Sequence, residues 1–217
     1  MKKLALVALL ILLIIQGKPA FAETGTLKGK IIVLDPGHGG FDPGAVKGSI
    51  REKEINLQTA LKLKKALEEK GATVILTRDG DFNMAIPGLH RREAHRYDLS
   101  KRLEVANKSK ADLLISIHVN STNMAGCMGA EVFFNPKLEK NKFLAESIQH
   151  QLLSIPDMKK RTAKAGNCYI LSNSGIPTVL IEIGYLSNPT ERNRLTDSNY
   201  QDLLVEKIAW GIQNFSF

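Results

Sequence analysis

Aromatic residues make up only 6% of this 217-residue chain, which has one tryptophan and two cysteines. Sparse aromatics, with basic residues interspersed among acids, leave no stacking platform or basic stripe for nucleic acid. Cys127 and Cys168 lie far apart without Cys-x-x-Cys spacing, which argues against a cysteine-built zinc site. They can form one disulfide or stay two thiols, and a chain of this size needs no staple for its core. No His-Glu-x-x-His run is present, so any metal ligands must come from separate elements. There is no internal repeat, low-complexity tract or long linker. The single long apolar run, Leu4 to Ile15, falls short of the ~20 residues a membrane helix needs.

That run follows Lys2 and Lys3 and precedes Ala20-Phe21-Ala22, a small-x-small site. Residues 1–22 read as a signal peptide cleaved after Ala22, with an uncleaved N-terminal anchor as the alternative. Residues 23–29 read as a short linker and 30–217 as one domain. Either way the domain lies outside the cytoplasm. The formal charge of +8 becomes +5 when Lys2, Lys3 and Lys18 leave (8 − 3). A modestly basic secreted domain suits an anionic polymer such as bacterial cell wall. An ordinary charged surface explains the balance equally well.

Strand and helix signals alternate from residue 30 onward. "KIIVLD" (30–35), "ATVILTR" (72–78), "ADLLISIHVNS" (111–121), "GAEVFFNP" (129–136), "NCYILSN" (167–173) and "TVLIEIGYLSN" (178–188) read as strands. Helices are expected over 54–71, 98–110, 137–155 and 199–215. In the first of these, Ile55, Leu57, Leu61, Leu63 and Leu67 lie largely on one side and Gly71 makes the stop. The polar stretch 79–97, broken by Pro87 and Gly88, is expected to be a surface loop. The pattern predicts a single α/β domain with a twisted, mostly parallel central sheet and helices on both faces. Ligand sites in such sheets gather at the carboxyl ends of the strands.

"LDPGHGG" (34–40) sits at such an end. It lacks the third glycine of Gly-x-Gly-x-x-Gly, because Asp42 stands there, and it lacks a Gly-Lys-Ser/Thr ending. A nucleotide or phosphate loop is therefore disfavoured. This end carries Asp35 and His38, and other strand ends carry Ser116, His118, Asn120 and Glu182. Taken singly, His118 reads as a hydrogen-bonded core histidine and Glu182 as half of a buried salt bridge, since an isolated buried charge is costly. Taken together they suggest more. Asp42, Glu52 and Glu54 follow the loop, and Glu52 sits where a helix starts, a comfortable place for a carboxylate. A hydrolytic zinc site needs three protein ligands and one open position. His38, Glu52 and His118 meet that count, and Glu182 is free to act as the base. His90, His95 and His150 read as solvated, or at most as substrate contacts.

"LDPGHGGFDPGAV", "REKEINL", "SIHVNS" and "VLIEIGYLSNPTE" occur in this order. Together they resemble the zinc-dependent N-acetylmuramoyl-L-alanine amidases of bacterial cell-wall turnover, from about Lys30 to the C-terminus. The resemblance implies one zinc ion held by His38, Glu52 and His118, with Glu182 catalytic and Asn120 near the substrate. The implied reaction is hydrolysis of the amide between N-acetylmuramic acid and L-alanine of the stem peptide in peptidoglycan. The small size and the arginine-rich "LHRREAHRYDLSKR" look like the germination type, which prepares spore cortex for muramic-δ-lactam formation. A vegetative autolysin or cell-separation amidase is the alternative, and a non-catalytic wall-binding module is a rival of another class. An accessory activator protein is expected if the site lies open.

Overall fold

The computed structural model describes residues 26–217; the leader expected at 1–22 and the start of the linker lie outside them. The elements, in order, are β1 (Ile31–Pro36), β2 (Val46–Lys47), β3 (Ile50–Arg51), α1 (Glu52–Glu68), β4 (Thr73–Leu76), α2 (Arg91–Lys108) and β5 (Leu113–Asn120). There follow β6 (Glu131–Phe134), α3 (Glu139–Leu152), β7 (Lys164–Ala165), α4 (Tyr169–Asn173), β8 (Thr178–Tyr185), α5 (Pro189–Thr196) and α6 (Ser198–Gln213).

Six strands form one sheet in the order β4-β1-β5-β8-β6-β7. All neighbours are parallel except β6 and β8. Alternation along the strands decides which helices each face receives. Ile32, Leu34, Ile115, Ile117, Ile181 and Ile183 share a cluster with residues of α1, α3 and α6. Val33 and Leu114 face the other way and meet Leu103 and Ala106 of α2 and Ile170 of α4. Both faces are covered, as the sequence pattern predicts.

Three expectations need correction. Residues 91–97 belong to α2, not to a loop, so the loop ends by His90. The helix starts three residues after Gly88, and the Glu93 carboxylate accepts from the His90 backbone N–H at 3.3 Å. Its apolar stripe is thin because Asp98 and Arg102 occupy buried positions. Residues 169–173 form α4 rather than a strand; a short apolar run does not distinguish the two. On α1, Leu61 is exposed, because the buried stripe runs through Ile55, Thr59, Ala60, Leu63 and Leu67. The α5 helix was missed, although Asn188-Pro189 announces it. The Asn188 side-chain oxygen accepts from the N–H groups of Thr190 and Glu191, and Pro189 sits at the first turn.

Candidate metal centre

The parallel strands deliver their carboxyl ends to one edge of the sheet, and β6, running the opposite way, begins there. β1 ends at Pro36 and the chain turns through Gly37-His38, with His38 at φ +62°. Close approach dictates the glycines. A Cβ on Gly37 would lie 2.2 Å from the His118 ring, and one on Gly44 would lie 2.6 Å from a Glu52 oxygen. Gly44 also has φ +63°, a conformation other side chains rarely adopt.

These turns bring three separate elements together. His38 Nε2 lies 3.1 Å from Glu52 Oε1, and His118 Nδ1 lies 3.0 Å from the same oxygen. The two imidazole rings meet edge to face, with centroids 4.9 Å apart. One ligand atom from each of His38, Glu52 and His118 falls within 4.8 Å of the others. Glu52 is fixed further by the N–H groups of Ala45 and Val119 at 2.9 and 3.1 Å. Glu54, the neighbouring candidate, instead pairs at the surface with Arg51 at 2.9 Å.

Charge is concentrated here. Burial works to lower the His38 pKa, but hydrogen bonds from its ring to the Asp42 and Glu52 carboxylates, and their charges, win, and it rises to about 9. The same contact with His38 brings Asp42 down to about 2. Burial would raise Glu52, yet the two histidines hold it well below the usual carboxylate range.

Glu182 stands beside His118 in the β5–β8 register. The residue is partly buried, and its Oε2 is shielded from solvent and has no hydrogen-bond partner among the described residues. Burial pushes its pKa to about 7; His118 opposes the shift and the Glu52 charge adds to it. The salt bridge that a lone buried glutamate suggests is not formed among the described residues. Asn120 ends β5 beyond a register shift, and its carbonyl accepts from the Leu186 N–H at 2.7 Å. Asp35 and Ser116 are buried and bonded to each other at 2.7 Å, with Arg102 on Asp35 at 2.8 Å, so both serve the framework.

His95 Nδ1 lies 3.9 Å from Asp42, whereas His90 and His150 are exposed away from the cluster. Cys127 and Cys168 are free.

Sequence reasoning missed three supports. Asp42 holds His38 Nδ1 at 2.8 Å, which turns Nε2 toward Glu52. Arg102 donates to the His38 carbonyl at 2.7 Å. Arg78 donates to the carbonyls of Pro36, Gly37 and Lys53, the last beside Glu52. The signal for Asp42 was its place four residues past His38. An arginine inside an apolar strand context, "ILTR", was the signal for Arg78.

The donor set fits a metal ion. Two imidazole nitrogens and one carboxylate converge, one histidine is oriented by an outer carboxylate, and an unpaired acid waits alongside. Fold and cluster together define a hydrolase domain built around a candidate metal centre.

A family model for N-acetylmuramoyl-L-alanine amidase matches residues 32–214. A germination-specific N-acetylmuramoyl-L-alanine amidase of Bacillus subtilis is 39% identical over 193 residues, 87% of this chain and 81% of that one. Among solved structures, the CwlD amidase of Clostridioides difficile, in complex with the GerS lipoprotein, superposes with a TM-score of 0.82 at 38% identity. It covers 86% of this chain and 98% of its own. The AmiC2 amidase of Nostoc punctiforme gives 0.73 at 33% identity, over 84% and 94% of the two chains. The chain belongs to the N-acetylmuramoyl-L-alanine amidase family. It is a hydrolase of the peptidoglycan amide bond between N-acetylmuramic acid and the stem peptide.

Proposed function

We propose that this amidase is zinc-dependent, that His38, Glu52 and His118 hold the ion, and that Glu182 is its general base. The observation that carries this reading is the unpaired, shielded Glu182 Oε2 next to three converging ligand atoms. The chemistry a bound zinc supplies is polarisation of the scissile carbonyl and acidification of water. Glu182 takes the proton of the attacking water at its carboxylate and returns it to the nitrogen of the leaving alanine. Its environment suits both halves of that task, because a carboxyl near neutrality can accept and release a proton. Asn120 helps hold the substrate at the strand end.

The biological setting we propose is spore cortex, where release of stem peptides prepares muramic acid for δ-lactam formation and germination. The similarity to the germination-specific amidase supports it. Action on peptidoglycan requires an extracytoplasmic location, which the leader-like start of the sequence supports. Among the described residues no helix is long and apolar enough to cross a membrane. The site opens onto two clefts, and the relative solved with a lipoprotein supports an accessory partner here too. Digestion of purified cortex and of vegetative sacculi, followed by mass analysis of muropeptides, tests the reading. Stem-free muramic acid from cortex is expected. Release from vegetative wall alone would favour an autolysin instead.

A further inference from the structure

Glu131 is a buried carboxylate that the proposed reaction does not use. In the sheet it stands directly opposite Glu182, on the antiparallel neighbour β6. Glu182 in turn is the register partner of His118 on β5. The three side chains form a row across three strands, alternating with Ile117, Ile181 and Val132 of the opposite face. Cross-strand partners carry their Cβ atoms about 5 Å apart, and two like charges so placed repel. The two carboxyls nonetheless have unequal surroundings. Glu131 Oε1 takes Arg161 Nη1 at 3.4 Å and the Lys164 ammonium as well. Glu182 Oε2 has no partner among the described residues.

Arg161 also reaches β8. Its guanidinium carbon lies 5.1 Å from the ring centroid of Tyr185, three residues beyond Glu182. Its Nε donates to the Met128 carbonyl at 2.8 Å, which keeps the head group at this edge. A guanidinium beside two carboxyls pairs with whichever remains charged when the other is neutralised. We infer that Glu131 is a positioning residue for the amidase reaction: it holds Arg161 away from Glu182, so that the base keeps an oxygen free for the attacking water. This rests on Glu182 being the base. A base held in a charge-assisted pair must first break that pair, and the barrier to reaction rises by its strength.

The test compares kcat, KM and zinc content of zinc-loaded wild type, Glu131→Gln and Glu131→Gln/Arg161→Gln on a soluble disaccharide muropeptide. Glu131→Gln frees Arg161 to pair with Glu182. It should lower kcat by about 10–100-fold, the scale of one charge-assisted hydrogen bond, with KM and zinc content unchanged. Removing Arg161 as well should restore kcat to within about threefold of wild type, because the two sites are coupled. A residue needed only for packing would not be rescued by a second loss beside it. The inference is overturned if Glu131→Gln keeps the wild-type kcat or loses zinc, or if the double variant stays as slow as the single one. A crystal structure of zinc-bound wild type is a readout that needs no variant. Arg161 is expected on Glu131, and Arg161 hydrogen-bonded to Glu182 would overturn the inference too. Glu182→Gln, measured alongside, separates the two readings. If it keeps the wild-type kcat, the assignment of the base fails. If it loses activity while Glu131→Gln does not, only the role of Glu131 falls.

Discussion

His38 is constrained through both its backbone and its ring. Its backbone is left-handed, Asp42 holds one ring nitrogen and Glu52 faces the other. With its pKa raised to about 9, the metal-free imidazole is protonated at neutral pH. Metal requires the neutral ring. Binding therefore expels a proton, and affinity rises with pH up to about 9. Below that it falls about tenfold per pH unit for one proton. Titration calorimetry in buffers of different ionisation enthalpy measures the proton release. Asp42→Asn removes both the charge and the orientation. Proton release near pH 8 should shrink, and affinity should fall by roughly 10–100-fold. Unchanged affinity in that variant would mean that Asp42 does not orient the ligand.

At the scale of elements, the centre is a junction of β1, α1 and β5 clamped by two buried arginines. Arg78 donates to the carbonyls of Pro36, Gly37, Lys53 and Gly80 at 2.8–3.0 Å. It thereby ties the His38 loop, the first turn of α1 and the segment after β4 together. Arg102, brought in by α2, meets Asp35, Asp98 and the carbonyls of Pro36 and His38. Arg78→Met leaves four carbonyls without their donor and should cost about 3 kcal/mol in denaturant unfolding. It should also weaken metal binding, as its partners flank two ligands. Arg78→Lys, with a point charge and no fork, should fall between. Full metal affinity in Arg78→Met would show that the clamp serves stability alone.

The whole molecule was legible in the sequence wherever periodicity and burial agreed. β1, β5 and β8 are near-continuous apolar runs, so each polar residue in them stood out, and that contrast located His118 and Glu182. Glu52 needed the helix start that Arg51 precedes. What stayed hidden depends on tertiary partners. α2 buries Asp98 and Arg102, which charge patterning places at the surface, so its first two turns read as loop. α4 is too short for its period to separate it from a strand. The pairing of Asp42 with His38 and the meeting of two cavities at His38 and His95 arise only when loops 37–44 and 79–90 pack beside α2.

The central claim is that a His-Glu-His metal centre works with Glu182 as its base. Its most direct test is the release of stem-free muramic acid from peptidoglycan by wild-type and Glu182→Gln enzymes adjusted to equal zinc content. Loss of the base should reduce the rate by about 10²–10⁴-fold while zinc binding persists. Wild-type release by a zinc-loaded Glu182→Gln enzyme would contradict the account.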